Sequence, residues 1–308
     1  MIVVTGGSGF IGSSLIAEIN KRGRTDIILV DDISDTRKLK NVVRLEFESF
    51  INKHDFINLL KSTDHSIQRI YHYGAESSTT CTDSEYLMKN NYEYSKTIIE
   101  ECIKQNIPLQ YASSAAVYGN SNVFDDTSDN YEPTNVYGYT KLLTDRLARK
   151  HIGEAYIQGL RFFNVYGPKQ DPKNPYSGVI SIFIEKILCG EPVTINGGYQ
   201  VRDFIYINDI VDVLIKSMNL LHNKNICNYC NVGTGVTVSI DELLLSLKNI
   251  TKANPKIIRK DLPEGDPELS SGTYEKINSL LNIDINSFCD LESGLEKTFN
   301  YFNKEKLE

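Results

Sequence analysis

The chain opens Met1-Ile-Val-Val-Thr-Gly-Gly-Ser-Gly-Phe-Ile-Gly12, and this stretch decides the fold. Ile2, Val3 and Val4 are β-branched and read as a buried strand. Gly6, Gly9 and Gly12 follow at the spacing G-x-x-G-x-x-G. In a strand–turn–helix unit the first glycine permits the turn. The second lets backbone approach a pyrophosphate, and the third lets helix pack on strand. The helix N-terminus adds free N–H groups and the positive end of a dipole. Taken alone, the spacing also suits a plain structural turn, so the segments that follow have to separate the two readings.

They favour a dinucleotide site. Ile11, Leu15, Ile16 and Ile19 recur at helical spacing, and Gly23 ends the helix. Residues 27–30, Ile-Ile-Leu-Val, are apolar without alternation, as in a parallel strand covered on both faces. The run ends in Asp31-Asp32. An acid about twenty residues past the glycines is where this fold meets the adenosine ribose. Strands are expected at 42–47, 66–73, 109–114, 155–163 and 193–195, and helices at 55–60 and 90–105. The alternation predicts an α/β protein, a Rossmann-type doubly wound parallel sheet over residues 1–168. Segments at about 200–235 are expected to return to that sheet. Pro168, Pro172, Pro175 and Pro192 mark a change of character. Residues 169–308 read mainly as a smaller, mixed α/β substrate-binding lobe, with 303–308 a frayed tail.

At 308 residues, 41% hydrophobic and 24% charged, the chain has the composition of an ordinary globular protein. Its net charge of −7 argues against a nucleic-acid partner. No apolar run reaches the roughly 18 residues of a membrane span. The glycine pattern starts too early to leave room for a signal peptide, so a cytoplasmic setting is expected. The six cysteines then read as thiols. Cys227 and Cys230 form C-x-x-C without a second pair nearby, so they read as strand residues, and no metal site is expected.

Tyr137-Gly-Tyr-Thr-Lys141 is the segment that carries chemistry. Positions i and i+4 share a helix face. An ammonium there can draw the phenol's pKa from about 10 towards neutrality, giving an acid/base for a hydroxyl. A surface Tyr/Lys pair would look the same in isolation. About twenty residues upstream, however, Ser113-Ser114 ends a predicted strand, and ligands of open parallel sheets bind beyond such ends.

With these motifs the chain resembles the extended short-chain dehydrogenase/reductases, in their nucleotide-sugar epimerase/dehydratase branch. The resemblance runs nearly end to end. It rests on residues 5–12, Tyr111-Ala-Ser-Ser-Ala-Ala-Val-Tyr-Gly119, Tyr137-x-x-x-Lys141, Arg161-Phe-Phe-Asn-Val-Tyr-Gly-Pro168 and Arg202-Asp-Phe-Ile-Tyr206. It implies a catalytic trio of Ser114, Tyr137 and Lys141, and a bound nicotinamide reduced and reoxidised in one cycle. It implies sugar and diphosphate contacts from Ser77, Ser114, Asn164 and Arg202. Cofactor contacts are implied at Gly6, Gly9, Phe10, Ile11, Gly12, Asp31, Asp32, Lys38, Lys53, Tyr73, Gly74, Ala75, Ser77, Asn90, Tyr137, Lys141 and Val165. A homo-oligomer is the family's habit.

Within that branch the first half is similar to the ADP-glyceromanno-heptose 6-epimerases, through residues 72–80, 90–96 and 135–141. That likeness places Lys173 as a second acid/base; its alternative is a solvated loop lysine. Lys38 leans the cofactor from NAD towards NADP, while Asp31 and Asp32 would repel a 2′-phosphate. The second half, at 175–181 and 190–197, is more similar to UDP-hexose 4-epimerases. A dehydratase fits less well, because Ala115 and Ala116 follow Ser114 where a proton-transferring pair would stand. A nucleotide-sensing relative without catalysis is disfavoured by the intact trio.

Overall fold

The computed structural model describes residues 1–33, 36–62, 66–79, 81–173, 178–220, 229–263 and 266–307. The first six strands are Ile2–Thr5 (β1), Ile27–Asp31 (β2), Ser49–Asn52 (β3), Arg69–His72 (β4), Leu109–Ser114 (β5) and Ile157–Phe162 (β6). The chain then adds Asn164–Tyr166 (β7), Val193–Asn196 (β8), Val201–Tyr206 (β9), Tyr229–Val232 (β10), Thr237–Ser239 (β11), Ile257–Lys260 (β12) and Leu269–Ser270 (β13).

Among the described residues seven strands form one sheet, in the order β10-β6-β5-β4-β1-β2-β3. Every pairing in it is parallel. The reason lies in the apolar runs. Ile2, Val4, Ile27 and Leu29 point into one core, while Val3, Ile28 and Val30 point into the other. A strand without alternation has two apolar faces and must be covered on both, which crossover helices accomplish. After β3 the chain returns to the other side of β1, so the order reverses between β1 and β4. A crevice opens there beyond the strands' carboxyl ends.

A smaller set of strands lies beside this sheet. β9 pairs β11 antiparallel and pairs both β7 and β13 parallel, and β8 pairs β12 parallel. Helices Val179–Cys189, Ile240–Thr251 and Leu291–Leu307 pack on one another. Of the segment at 200–235, the helix Ile207–Met218 packs on the helix Phe10–Lys21, and β10 joins the large sheet. β9 stays with the small one. Cys230 is buried in β10, and Cys227 lies outside the described residues.

Two expectations are corrected. Residues 42–47 alternate apolar and charged side chains like a half-buried strand. Instead Leu39–Val42 is a helical turn, Val43 is 77% exposed, and the strand is Ser49–Asn52, with Ser49 opposite Ile28. Leu45 and Phe47 pack against the core from a loop, so burial alone satisfied the pattern. The expected frayed tail is the last turn of the helix Leu291–Leu307, where Phe302 is buried and Lys306 Nζ donates to the carbonyl of Leu188 at 2.5 Å.

One buried ion pair ties the sheet to the helix Val136–Lys150. Arg161 on β6 has no exposed surface, and its Nε donates to Asp145 Oδ2 at 2.8 Å. The same carboxylate accepts from the Tyr111 hydroxyl (2.9 Å) and the Ser113 hydroxyl (3.0 Å) of β5. The rings of Tyr229, Tyr131 and Tyr118 surround the guanidinium, with centroids 3.9, 4.8 and 5.2 Å away. Removing one partner of such a pair strands the other charge away from water. Asp145→Ala is therefore expected to cost about 3–5 kcal/mol in chemical denaturation. A loss below about 1 kcal/mol would show that Arg161 is held by its aromatic surroundings instead.

Candidate active site

The crevice holds a cleft of about 780 Å³. Its floor is the glycine turn after β1. Gly6 has φ +68°, and a Cβ there would lie 2.6 Å from the backbone N of Gly74, so only glycine lets the loops after β1 and β4 touch. The helix Phe10–Lys21 starts from Gly9 with no side-chain cap, leaving its first N–H groups to the cleft. Thr5 Oγ1 accepts from the Gly74 N–H (3.2 Å) and lies 2.6 Å from His72 Nδ1. His72 Nε2 is 2.9 Å from Ser95 Oγ, which donates to the carbonyl of Asn91. Ser95 thus accepts from the imidazole, and the Nε2–H tautomer follows. Burial, with Lys141 nearby, lowers the His72 pKa to about 3, so the ring is neutral.

At the ribose end Asp31 is 7% exposed. Its carboxylate accepts from the N–H of Ser8 (2.8 Å), the N–H of Asp32 (2.7 Å) and Lys38 Nζ (2.8 Å). Lys38 also reaches the Asp32 carbonyl at 3.0 Å. Lys53 Nζ lies 3.7 Å from Asp32 Oδ2 and 3.3 Å from Asn90 Oδ1. Two carboxylates and two ammonium groups therefore compensate one another around one hollow. These features fit a dinucleotide: an uncapped helix start for its phosphates, and acceptors beside donors for its ribose.

The reacting end is built from two elements. Ser114 ends β5 and caps a 3₁₀ turn at Ala115–Val117, its Oγ accepting from the Ala116 N–H at 3.1 Å. Tyr137 and Lys141 sit on the helix Val136–Lys150, whose start is capped by Asn135 at 2.8 Å from the Gly138 N–H. A Cβ on Gly138 would lie 2.4 Å from the Ala116 carbonyl oxygen, so this glycine lets the helix dock against the turn that carries Ser114. Lys141 is 7% exposed. Its Nζ donates to the Ala112 carbonyl at 2.8 Å and stands 5.7 Å from the Tyr137 ring centroid. Burial lowers Lys141 to about 8, against the pull of Asp145.

The expected downward shift of Tyr137 is not what this geometry gives. Burial raises its phenol above the ordinary value. Hydrogen bonding to Ser114 opposes the rise, and the charge of Glu76 adds to it. Lys141 Nζ is turned to the Ala112 carbonyl and not to the phenol oxygen.

All the residues expected to meet the cofactor line this one cleft, from Gly6 through Val165, as do Ser77, Ser114 and Asn164. Two expected residues do not. Arg202 is paired with Asp266 at 2.6 Å, its Nη1 donating to the Val201 carbonyl. Lys173 is exposed in a turn, held by its backbone to Asp171 and Arg37. Lys169 lines the cleft instead, with φ +72° and Nζ 3.5 Å from the Ser13 carbonyl. Residues 175–177, part of the segment 175–181 compared above with UDP-hexose 4-epimerases, lie outside the described residues.

Sequence reading passed over Glu76, Tyr86, Asn91 and Gly138. Gly138 had a signal, as the glycine inside the Tyr137–Lys141 motif, and Glu76 and Asn91 lay within the segments 72–80 and 90–96 without a role of their own. Asn91 sits in a π-helical stretch, Met88–Glu93, that interrupts an expected helix. Such stretches collect at functional sites.

The model of the NAD dependent epimerase/dehydratase family matches residues 2–233. An ADP-L-glycero-D-manno-heptose-6-epimerase of Brachyspira hyodysenteriae is 40% identical over 263 residues, 82% of each chain. The UDP-glucose 4-epimerase of Thermotoga maritima, solved with UDP-glucose, superposes with a TM-score of 0.86 at 29% identity, over 100% of this chain and 99% of that one. The ADP-L-glycero-D-manno-heptose-6-epimerase of Helicobacter pylori gives 0.84 at 27% identity, over 97% and 95%. The glycine turn, the trio and the sheet order all lie within the matched span, and the chain belongs to the NAD dependent epimerase/dehydratase family.

Proposed function

We propose that the chain is a nucleotide-diphosphate-sugar epimerase that oxidises and re-reduces one sugar carbon within a single site, with ADP-glyceromanno-heptose, inverted at C6, as its substrate. The observation that carries this reading is the convergence of Ser114, Tyr137 and Lys141 on the cleft whose floor is the glycine turn. The cofactor, NAD or NADP, would supply the hydride acceptor and donor of one turnover. The protein's own part is proton handling and orientation. Tyr137 takes the hydroxyl proton as the carbon is oxidised; when hydride comes back to the opposite face of the keto carbon, the proton goes back to its oxygen, from Lys173 in the heptose reading. Ser114 Oγ donates to the same sugar oxygen. Lys141, held by the Ala112 carbonyl, keeps a positive charge beside the phenol as its proton leaves. Ala115 and Ala116 carry no proton, so the site reads as an epimerase, not a dehydratase.

The heptose reading is supported by the 40% identity to a heptose epimerase. A UDP-hexose 4-epimerase is the second reading, favoured by the exposed position of Lys173, which would otherwise be a base on the second face. Arg202 becomes a diphosphate contact once Asp266 yields it. For the cofactor, Lys38 and Lys53 favour NADP, since each can meet a 2′-phosphate, while Asp31 opposes it. A cytoplasmic homo-oligomer completes the proposal.

Three outcomes follow. Tyr137→Phe is expected to lower kcat about 10²–10⁴-fold while cofactor affinity stays near wild type; near-normal turnover would remove Tyr137 from the chemistry. Turnover of ADP-heptose, UDP-glucose and UDP-N-acetylglucosamine, followed by NMR of the inverted carbon, separates the sugar readings. ADP-heptose should react fastest, and Lys173→Met should stop it. If a UDP-hexose is preferred and Lys173→Met is silent, the 4-epimerase reading replaces the first. Lys38→Ala should weaken NADP about tenfold more than NAD in equilibrium binding, the size of one charge-assisted contact. Equal weakening would make Lys38 only the counter-ion of Asp31.

A further inference from the structure

The cleft contains a carboxylate that the proton chemistry above does not use. Glu76 lies two residues past Gly74, in the loop after β4, and lines the cleft together with Ser77, Tyr86, Ser114, Tyr137 and Asn164. Its backbone is fixed at both ends by one side chain. Asn91 Oδ1 accepts from the Glu76 N–H at 2.9 Å, and Asn91 Nδ2 donates to the Glu76 carbonyl at 2.9 Å. Asn91 is itself 2% exposed and anchored in the π-helical stretch, so the clamp is rigid.

The carboxylate is also only partly spent. Its Oε1 accepts from the Ser78 N–H at 2.9 Å. An ionised carboxylate has about four acceptor positions. Among the described residues no lysine, arginine or histidine forms an ion pair with it. Its charge reaches the reacting end: after burial and the Ser114 hydrogen bond, Glu76 is the third influence on the Tyr137 phenol, and after burial it is the next influence on that of Tyr86. A fixed anion with open acceptor positions beside the proton-transfer group favours hydroxyl donors and repels a second anion.

We propose that Glu76 is a specificity-determining residue, whose carboxylate accepts hydrogen bonds from hydroxyls of a neutral sugar and excludes sugars that carry a carboxylate. The inference rests on the epimerase reading and adds the charge class of its sugar. Specificity of this kind needs a repulsive element as well as an attractive one, and one carboxylate supplies both.

The test uses the purified holoprotein and pairs of ligands differing only at C6, hydroxymethyl against carboxylate. These are ADP-glucose with ADP-glucuronic acid and UDP-glucose with UDP-glucuronic acid, titrated calorimetrically. Wild type should bind the neutral member at least about tenfold more tightly, the minimum for one like-charge contact. Glu76→Gln keeps an acceptor for the Ser78 N–H and removes the charge, so it should bring the ratio close to one. Glu76→Asp, which keeps the charge, should retain most of the preference. Equal affinity of wild type for both members of a pair, or an unchanged ratio in Glu76→Gln, overturns the inference and leaves the epimerase reading standing. Failure of wild type to bind either neutral ligand also overturns the inference, whereas the epimerase reading falls only if no sugar nucleotide, ADP-heptose included, is turned over.

Discussion

The site depends on how closely the loops after β1 and β4 approach. Gly6 and Gly74 are in backbone contact, and a single added carbon would part them. Beneath the contact runs a directed chain of hydrogen bonds. The Gly74 N–H donates to Thr5 Oγ1, Thr5 to His72, His72 to Ser95, and Ser95 to the Asn91 carbonyl. The chain requires a neutral imidazole, and burial supplies one by depressing the His72 pKa. It links both strand ends at the reversal of the sheet to the π-helical stretch. The phosphate end, floored by Gly6, and the sugar end, lined by Glu76, are therefore set by one framework.

A second framework aligns the reacting groups. Asp145 joins β5, β6 and the helix Val136–Lys150 through Tyr111, Ser113 and Arg161. Lys141 lies one turn before Asp145 on that helix, and Ser114 lies one residue after Ser113 on β5. The ion pair that holds the core thus also holds the two elements carrying the trio. Gly138 closes the remaining gap. Stability and chemistry share residues here because the trio comes from one strand end and one helix, and buried polar contacts fix their relative positions.

Much of this was legible in the chain, and what was not has physical reasons. The unbroken apolar runs of β1 and β2 specify a sheet buried on both faces, and that is the sheet observed. The cofactor-facing residues were readable because they belong to contiguous motifs attached to strand ends. Arg202 and Lys173 were harder, because a motif gives a residue's place on the backbone and not the direction of its side chain. Arg202 meets an acid 64 positions away, and Lys173 points from a turn. The segment 42–47 has the alternation of a strand, yet its apolar residues find the core from a loop. Glu76 and Asn91 lie inside segments that carried the family resemblance, but their pairing was not legible, since a clamp between two loops has no spacing to recognise.

The central claim is that one carbon is oxidised and reduced again without its hydrogen leaving the protein. The most direct measurement is epimerisation of the preferred sugar nucleotide in deuterated water, with NMR or mass analysis of the inverted carbon. The account predicts inversion with no solvent deuterium at that carbon, because Tyr137 exchanges only the hydroxyl proton. Deuterium at the inverted carbon would mean that the C–H bond is broken as an acid, and would contradict it.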